Sequence, residues 1–308
     1  MSVIFIIQGV REGGTVMKRL RDGIDRYPLV TFFTLACAFS WSLWLLMIAS
    51  ARSWLPFSVP TNWLGNLGTF GPSLAAIALV ALSRGTSGLK ELLKPILHWR
   101  FGGRWYAFVI LGGLGFWIVP LIYKLLGGSL PMPLLAFVDQ ALALPILFLL
   151  ILIIDGPLGE EIGWRGYMLP RLLEQRSPLG ASLILSVFWL VWHLPQFWLP
   201  GAPPGFTIPL YWITIAAYSV LFTWVYLGTS GSLLVMLLFH ASLNTGEVAL
   251  IQAYPGIWEE LLYYGLVAVI WVAVAAVVVI LKWPGLPKRA GSFSGWDRSS
   301  SQKRMSTT

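Results

Sequence analysis

"DGPLGEEIGWRGYMLP", Asp155 to Pro170, interrupts a chain that is otherwise strongly apolar, and it places Glu160, Glu161 and Arg165 directly behind the apolar run at 141–154. How this stretch is read decides the fold. On a helix, Glu161 and Arg165 stand at i and i+4 and can pair on one face. Glu160 then points about 100° away and keeps no obvious local partner. One carboxylate can serve as an anchor and the other is left free for chemistry. Gly156, Gly159, Gly163 and Gly166 form a stripe of small residues, which lets neighbouring helices approach the backbone closely. The competing reading is a loop helix on the cytoplasmic side whose charges face water.

The surroundings are those of a membrane protein. Of 308 residues, 57% are hydrophobic and 11% are charged, and the mean hydropathy is +0.75. A soluble domain of this length carries about 25% charged residues. The expected fold class is therefore all-α: a polytopic membrane protein of about eight transmembrane helices around a polar intramembrane cavity open to the cytoplasmic side. The expected spans are 28–49, 62–82, 105–126, 132–154, 179–199, 207–227, 231–250 and 259–283, each near the ~20 residues that cross a bilayer. Lys and Arg cluster in the N-terminal flank (Lys18, Arg19, Arg21, Arg26), between 84 and 104, between 165 and 176, and in the tail. The alternate loops hold almost none, so the positive-inside rule puts both termini in the cytoplasm of a multi-pass cell-membrane protein.

Three regions follow: a basic cytoplasmic segment at 1–27, a helical membrane domain at 28–283, and a disordered cytoplasmic tail at 284–308, polar and poor in apolar residues. Residues 1–16 read as a start-site extension ahead of the basic flank that opens at Met17. The apolar run behind that flank is longer than a signal-peptide core, so it is read as a retained span, not a cleaved leader. Residues 86–100 read as an interfacial basic stretch with Trp99 and Trp105 as belt aromatics, and His98 has no assigned role. The net charge of +8 is placed to set topology and to meet anionic lipid headgroups, and it is not a nucleic-acid signature. The one cysteine, Cys37, leaves no intrachain disulfide and no cysteine-based metal site.

Ionisable and polar groups inside apolar helices are costly, which makes each a functional candidate. Beyond 155–170 they are Asp139, His193, His240, Asn244 and Glu247. In "SVFWLVWHLPQFW", Trp189 precedes His193 by one turn, and Pro195 frees the carbonyl of Val191, which must find another partner. In "LLFHASLNTGE", His240 and Asn244 share a face at i and i+4, with Glu247 roughly on it. Structural hydrogen bonding between helices is the plain alternative for each histidine. Glu160 lies 17 residues before Ser177 and His193 lies 15 after Pro178, so both sit at similar heights if the chain turns there and the helix of Glu160 runs on toward residue 173. Glu160, His193, His240 and Asn244 can then converge on one cavity. Asp139 and Asp155 are expected at span ends with structural roles.

A carboxylate beside a histidine in a water-poor site can act as a general base on water. His and Asn donors can stabilise a tetrahedral oxyanion. Zinc held by Glu160, His193 and His240 is a second mechanism open to the same residues. A proton-coupled transporter using Glu160, Glu247 and the histidines is a third reading, but it calls for internal repeats, and none is seen.

Three motifs carry a resemblance: Glu160, Glu161 and Arg165 as EExxxR, Trp189 and His193 as aromatic-xxx-His, and His240 and Asn244 as HxxxN. Their order and spacing resemble the CAAX-protease and bacteriocin-processing family, the abortive-infection-like membrane proteases, over a core of about 130–250. That family usually has Phe where this chain has Trp189, which bears on pocket shape. The resemblance implies an intramembrane glutamate-type endopeptidase without cofactor. Glu160 would activate water with His193, His240 and Asn244 would form the oxyanion hole, and Glu161 and Arg165 would brace the helix and orient substrate. It implies a membrane-associated peptide or protein as substrate, possible lipidation included, and the short loops look like those of a bacterial inner-membrane member. A non-catalytic scaffold or bacteriocin-immunity protein of the same fold is the alternative.

Overall fold

A computed structural model describes residues 22–59, 61–126, 134–199, 202, 205–253 and 261–281. Residues 1–21 of the expected N-terminal segment and the expected tail at 284–308 lie outside them. Among the described residues the chain is all helix: α1 Pro28–Ala51, α2 Thr61–Gly68, α3 Gly71–Leu93, α4 Gly103–Gly115, α5 Ile118–Leu125 and α6 Leu134–Ile154. Next comes α7, built from Pro157–Glu161, a π-helical stretch Ile162–Met168 and Leu169–Gln175. The chain continues with α8 Pro178–His193, α9 Ile208–Gly228, α10 Leu233–Ala253 and α11 Leu261–Leu281. Runs of Leu, Ile, Val, Ala and Phe become helices because lipid offers the backbone no partners, so each N–H and C=O must be satisfied within the segment.

Among the described residues seven helical segments are long and apolar enough to cross a membrane, against eight expected: Pro28–Ala51, Gly103–Leu125, Leu142–Gln175, Pro178–Trp198, Gly205–Gly228, Leu233–Gln252 and Leu261–Leu281. The chain is thus a polytopic all-α membrane protein. The expected span at 62–82 is where the two differ. It breaks at Thr69–Phe70 into α2 and α3, and α3 carries Arg84, Lys90 and Glu91 in its second half. Gly85 also leaves helical geometry there, at φ +63°. The apolar part of α3 is left too short for a span by itself. The stretch read as interfacial, 86–100, is the end of α3 followed by a 3₁₀ turn at Lys94–Leu97. Trp99 is exposed there, whereas Trp105, expected in the same belt, is buried with its ring 4.7 Å from Trp224.

Small residues set the helix spacing around the site. A Cβ at Gly163 would fall 2.5 Å from the backbone of Pro72, and one at Gly159 2.6 Å from the Thr69 carbonyl, so α7 lies directly on the start of α3. Ser73 Oγ donates to the Leu158 carbonyl at 2.8 Å across the same seam. On the far side, α4 and α10 meet through Ser242, whose Oγ donates to the Val109 carbonyl at 2.6 Å and accepts from the Gly113 N–H at 3.0 Å. Close packing and interhelical hydrogen bonds of this kind replace the hydrophobic drive that lipid removes. Ser219 Oγ ties α9 to α8 through the Ser182 carbonyl at 2.8 Å. Trp192 Nε1 ties α8 to α1 through Ser40 Oγ, also at 2.8 Å.

Candidate active site

Between α6 and α7 the helix path breaks at Gly156, whose φ of +92° is a conformation that side-chain-bearing residues rarely adopt. The break lets α7 restart at Pro157, with proline at its first position, where no N–H is needed. Glu160 and Glu161 therefore enter the bundle one turn into a new helix. The π-helical stretch follows immediately, and such widened turns occur frequently at functional sites.

Glu161 is the anchor. Its Oε1 accepts from Arg165 Nη1 at 2.7 Å, the i,i+4 pair expected from the spacing, and from His240 Nδ1 at 2.7 Å. Neither Glu161 nor Arg165 is measurably exposed. The Arg165 guanidinium carbon lies 4.3 Å from the Trp189 ring centroid and 3.9 Å from that of Phe222, so the cation is also stacked between two π-faces. Glu161 and Arg165 do not line the cavity. They stand behind it, paired with each other.

Glu160 keeps its other face free. Its Oε2 accepts from Trp189 Nε1 at 2.6 Å, a bond from α8 that phenylalanine at this position could not make. The Trp189 carbonyl in turn sits 2.7 Å from His193 Nδ1. A carbonyl only accepts, so Nδ1 carries the proton and Nε2 of neutral His193 is left as an acceptor. Trp189 thus joins Glu160 to His193, and its ring centroid lies 5.8 Å from each of the His193 and His240 rings. His193 is the last residue of α8. Pro195 ends the helix there, and the Val191 carbonyl that it frees is taken by the Leu194 N–H as the chain tightens into the 3₁₀ turn Leu194–Trp198.

Three polar atoms converge beside Gly156. A Cβ built there would lie 3.2 Å from Glu160 Oε1, 3.3 Å from Asn244 Nδ2 and 3.6 Å from His240 Nε2. Glycine leaves that spot open, and it belongs to a cavity of about 420 Å³ lined by Glu160, Trp189, His193, His240 and Asn244 among others. His240 presents Nε2 to it because Nδ1 is held by Glu161. The arrangement can hold a small polar group, such as a water or a carbonyl oxygen, between one carboxylate, one imidazole and one amide.

All seven expected site residues are gathered within this one region. Two participants were not foreseen: Gly156, singled out only as part of the small-residue stripe, and Asp155, which lines the cavity as well as ending α6. The glycine-proline pair after Asp155 is the signal that marks the break. Asp139 lies in α6, where its side chain is outside the described residues. Among the described residues no group of three His, Cys, Asp or Glu stands close enough together to hold a metal ion. The lining of the cavity extends from Glu160, His240 and Asn244 to Gln196, Ala202, Tyr211, Ile251 and Tyr264. Those residues stand at the helix ends opposite the Ser177 and Thr229–Ser232 turns.

Comparison with known proteins agrees with the geometry over part of the chain. Residues 142–246 match the family described as type II CAAX prenyl endopeptidase Rce1-like. Over 110 residues the chain is 28% identical to CAAX prenyl protease 2 of Methanococcus maripaludis, an alignment that covers 33% of this chain and 40% of that protein. The chain therefore spans about two fifths of the length of the curated relative it matches. From residue 142 to 246, the stretch that holds Glu160, Glu161, Arg165, Trp189, His193, His240 and Asn244, the protein is CAAX-protease-like.

Proposed function

We propose that this protein is an intramembrane endopeptidase that hydrolyses a peptide bond of a membrane-associated substrate with water activated by Glu160. The observation that carries this reading is the convergence of Glu160 Oε1, His240 Nε2 and Asn244 Nδ2 on the open spot beside Gly156. Glu160 takes a proton from water, and the oxygen attacks the peptide carbonyl carbon. Nε2 of His193 is placed as an acceptor to help hold that water. The carbonyl becomes a tetrahedral oxyanion, received by the Asn244 amide N–H and the His240 ring beside it. Glu160 then gives its proton to the leaving amine, and the bond breaks to an acid and an amine. The bond from Trp189 Nε1 fixes the orientation of Glu160 throughout. No cofactor enters the scheme.

The substrate is a membrane-associated peptide or protein. A lipidated chain is the leading class because the relative from Methanococcus maripaludis is named a CAAX prenyl protease. The basic flanks place both termini in the cytoplasm of a cell membrane, in contact with anionic headgroups. The test is cleavage of quenched membrane peptides, one of them prenylated, by protein in liposomes. Wild type, Glu160→Gln and His193→Ala are compared with and without chelator. Cleavage lost in both variants and kept under chelation supports the reading. Loss under chelation alone points to zinc, and variants that keep full cellular activity point to a non-catalytic scaffold or immunity protein of the same fold.

A further inference from the structure

The helix α9 supplies none of the residues in the three motifs, yet Phe222 on it packs against groups from all of them. Its ring centroid lies 3.9 Å from the Arg165 guanidinium carbon, 5.9 Å from the Trp189 ring and 5.7 Å from the His240 ring. The Phe222 and Trp189 rings stand at 84° to each other, so Arg165 sits in the corner between their faces. Phe222 belongs to the lining of the cavity, whereas Arg165 does not. The cation is not fully satisfied where it is. Its Nη2 is buried and has no hydrogen-bond partner among the described residues, and an unmet buried donor gains by finding a second acceptor. Glu160 is such an acceptor. It stands five residues before Arg165, the spacing of a π-helical turn, and the two charges act on each other. Even so, among the described residues Glu160 has no ion pair, and Arg165 is paired with Glu161.

We propose that Phe222 is a positioning residue that assigns the buried cation to Glu161: together with the Trp189 indole it corners Arg165 behind the cavity and leaves Glu160 free to act on water. The negative face of an aromatic ring attracts a guanidinium, most strongly where water is excluded. Trp189 offers such a face on one side only, and its N–H edge is already spent on Glu160. Phe222 closes the other side, the one toward the cavity. Without that face Arg165 has a path to Glu160 Oε1, the oxygen that shares the open spot beside Gly156 with Asn244 and His240. A charge-assisted bond there takes the oxygen that would otherwise receive a proton from water. Leucine at this position fills much of the same volume but has no face to offer. The cornering of Arg165 is independent of what the site does, whereas its effect on rate rests on the endopeptidase reading.

Two full-length variants test this: Phe222→Leu, and a chain with trifluorophenylalanine in place of Phe222. Fluorine nearly keeps the shape of the ring and withdraws electron density from its face, so it weakens the attraction for the cation and leaves the packing. Crystal structures of both variants read the partner of Arg165 without any need for activity. Arg165 is expected on Glu160 in Phe222→Leu and divided between the two carboxylates in the fluorinated chain. Cleavage of quenched membrane peptides in liposomes is the second readout. The expected result is a kcat about tenfold lower in Phe222→Leu and several-fold lower in the fluorinated chain, with KM unchanged in both. If Phe222→Leu does not fold, the fluorinated chain carries both readouts. Arg165 paired with Glu161 alone in the variants overturns the proposal. So does a fluorinated chain with the kcat of wild type, which would reduce Phe222 to packing. Wild type that cleaves no peptide would sink the endopeptidase reading, and the two crystal structures would still decide where Phe222 holds Arg165.

Discussion

Trp189 does more in the site than its place in a motif suggests. Its indole N–H holds Glu160 while its carbonyl fixes the tautomer of His193, so one residue positions two polar groups of the cavity. Phenylalanine at this position would keep the ring against Arg165 and lose the N–H. A hydrogen bond to a charged group contributes about 1.5–3 kcal/mol, so Trp189→Phe is expected to lower kcat about tenfold to a hundredfold with little change in KM. Steady-state kinetics in liposomes checks this, and an unchanged kcat would remove Trp189 from the positioning of Glu160. The Glu161–Arg165 pair was legible from spacing alone, because both ends lie within one helical turn. The bond from His240 to Glu161 was not, because 79 residues separate them and only packing brings α10 against α7.

At the scale of elements, α7 is the piece on which the site depends. Gly163 presses against Pro72 so closely that any side chain must displace backbone. Overpacking of this kind costs about 1–3 kcal/mol. Gly163→Leu is expected to lower the unfolding temperature in detergent by several degrees and to abolish cleavage, with Gly265→Leu, where nothing lies within 4 Å of a built Cβ, as the neutral control. A variant with unchanged melting would show that the α3–α7 seam tolerates separation. The same seam explains the misreading of 62–82. Hydropathy sums the window and misses the break at Thr69–Phe70, the turn on which α7 packs Gly159. Conversely, the continuation of helix past residue 154 toward 173 was legible from the need to place Glu160 beside His193. The sharp break at Gly156 that makes this possible was written only as a glycine before a proline.

For the whole molecule, orientation and the direction of the cavity are separable questions. By the positive-inside rule the Ser177 turn is expected in the cytoplasm, and Ala202, at the opposite helix ends, is then expected at the other face. Cys37 is the one native cysteine and is buried, so single cysteines can be introduced beside it. In intact cells, a membrane-impermeant maleimide is expected to label Ala202→Cys and to reach Ser177→Cys only after permeabilisation. The reverse pattern would invert the protein and with it the side from which substrate approaches.

Residue types and spacing by themselves determined that this chain lives in a membrane, that its helices carry few charges, and that two carboxylates, two imidazoles and an amide are the polar groups to ask about within them. They determined the Glu161–Arg165 pair as well, since helix geometry converts a separation of four into contact. Only the tertiary structure decided which carboxylate faces the cavity and that Trp189 connects Glu160 to His193. Those facts arise between segments 29 to 84 positions apart in the chain (Glu160 to Trp189, Glu160 to Asn244). Their meeting is set by how closely glycine- and serine-lined helices can approach, which no single helix encodes.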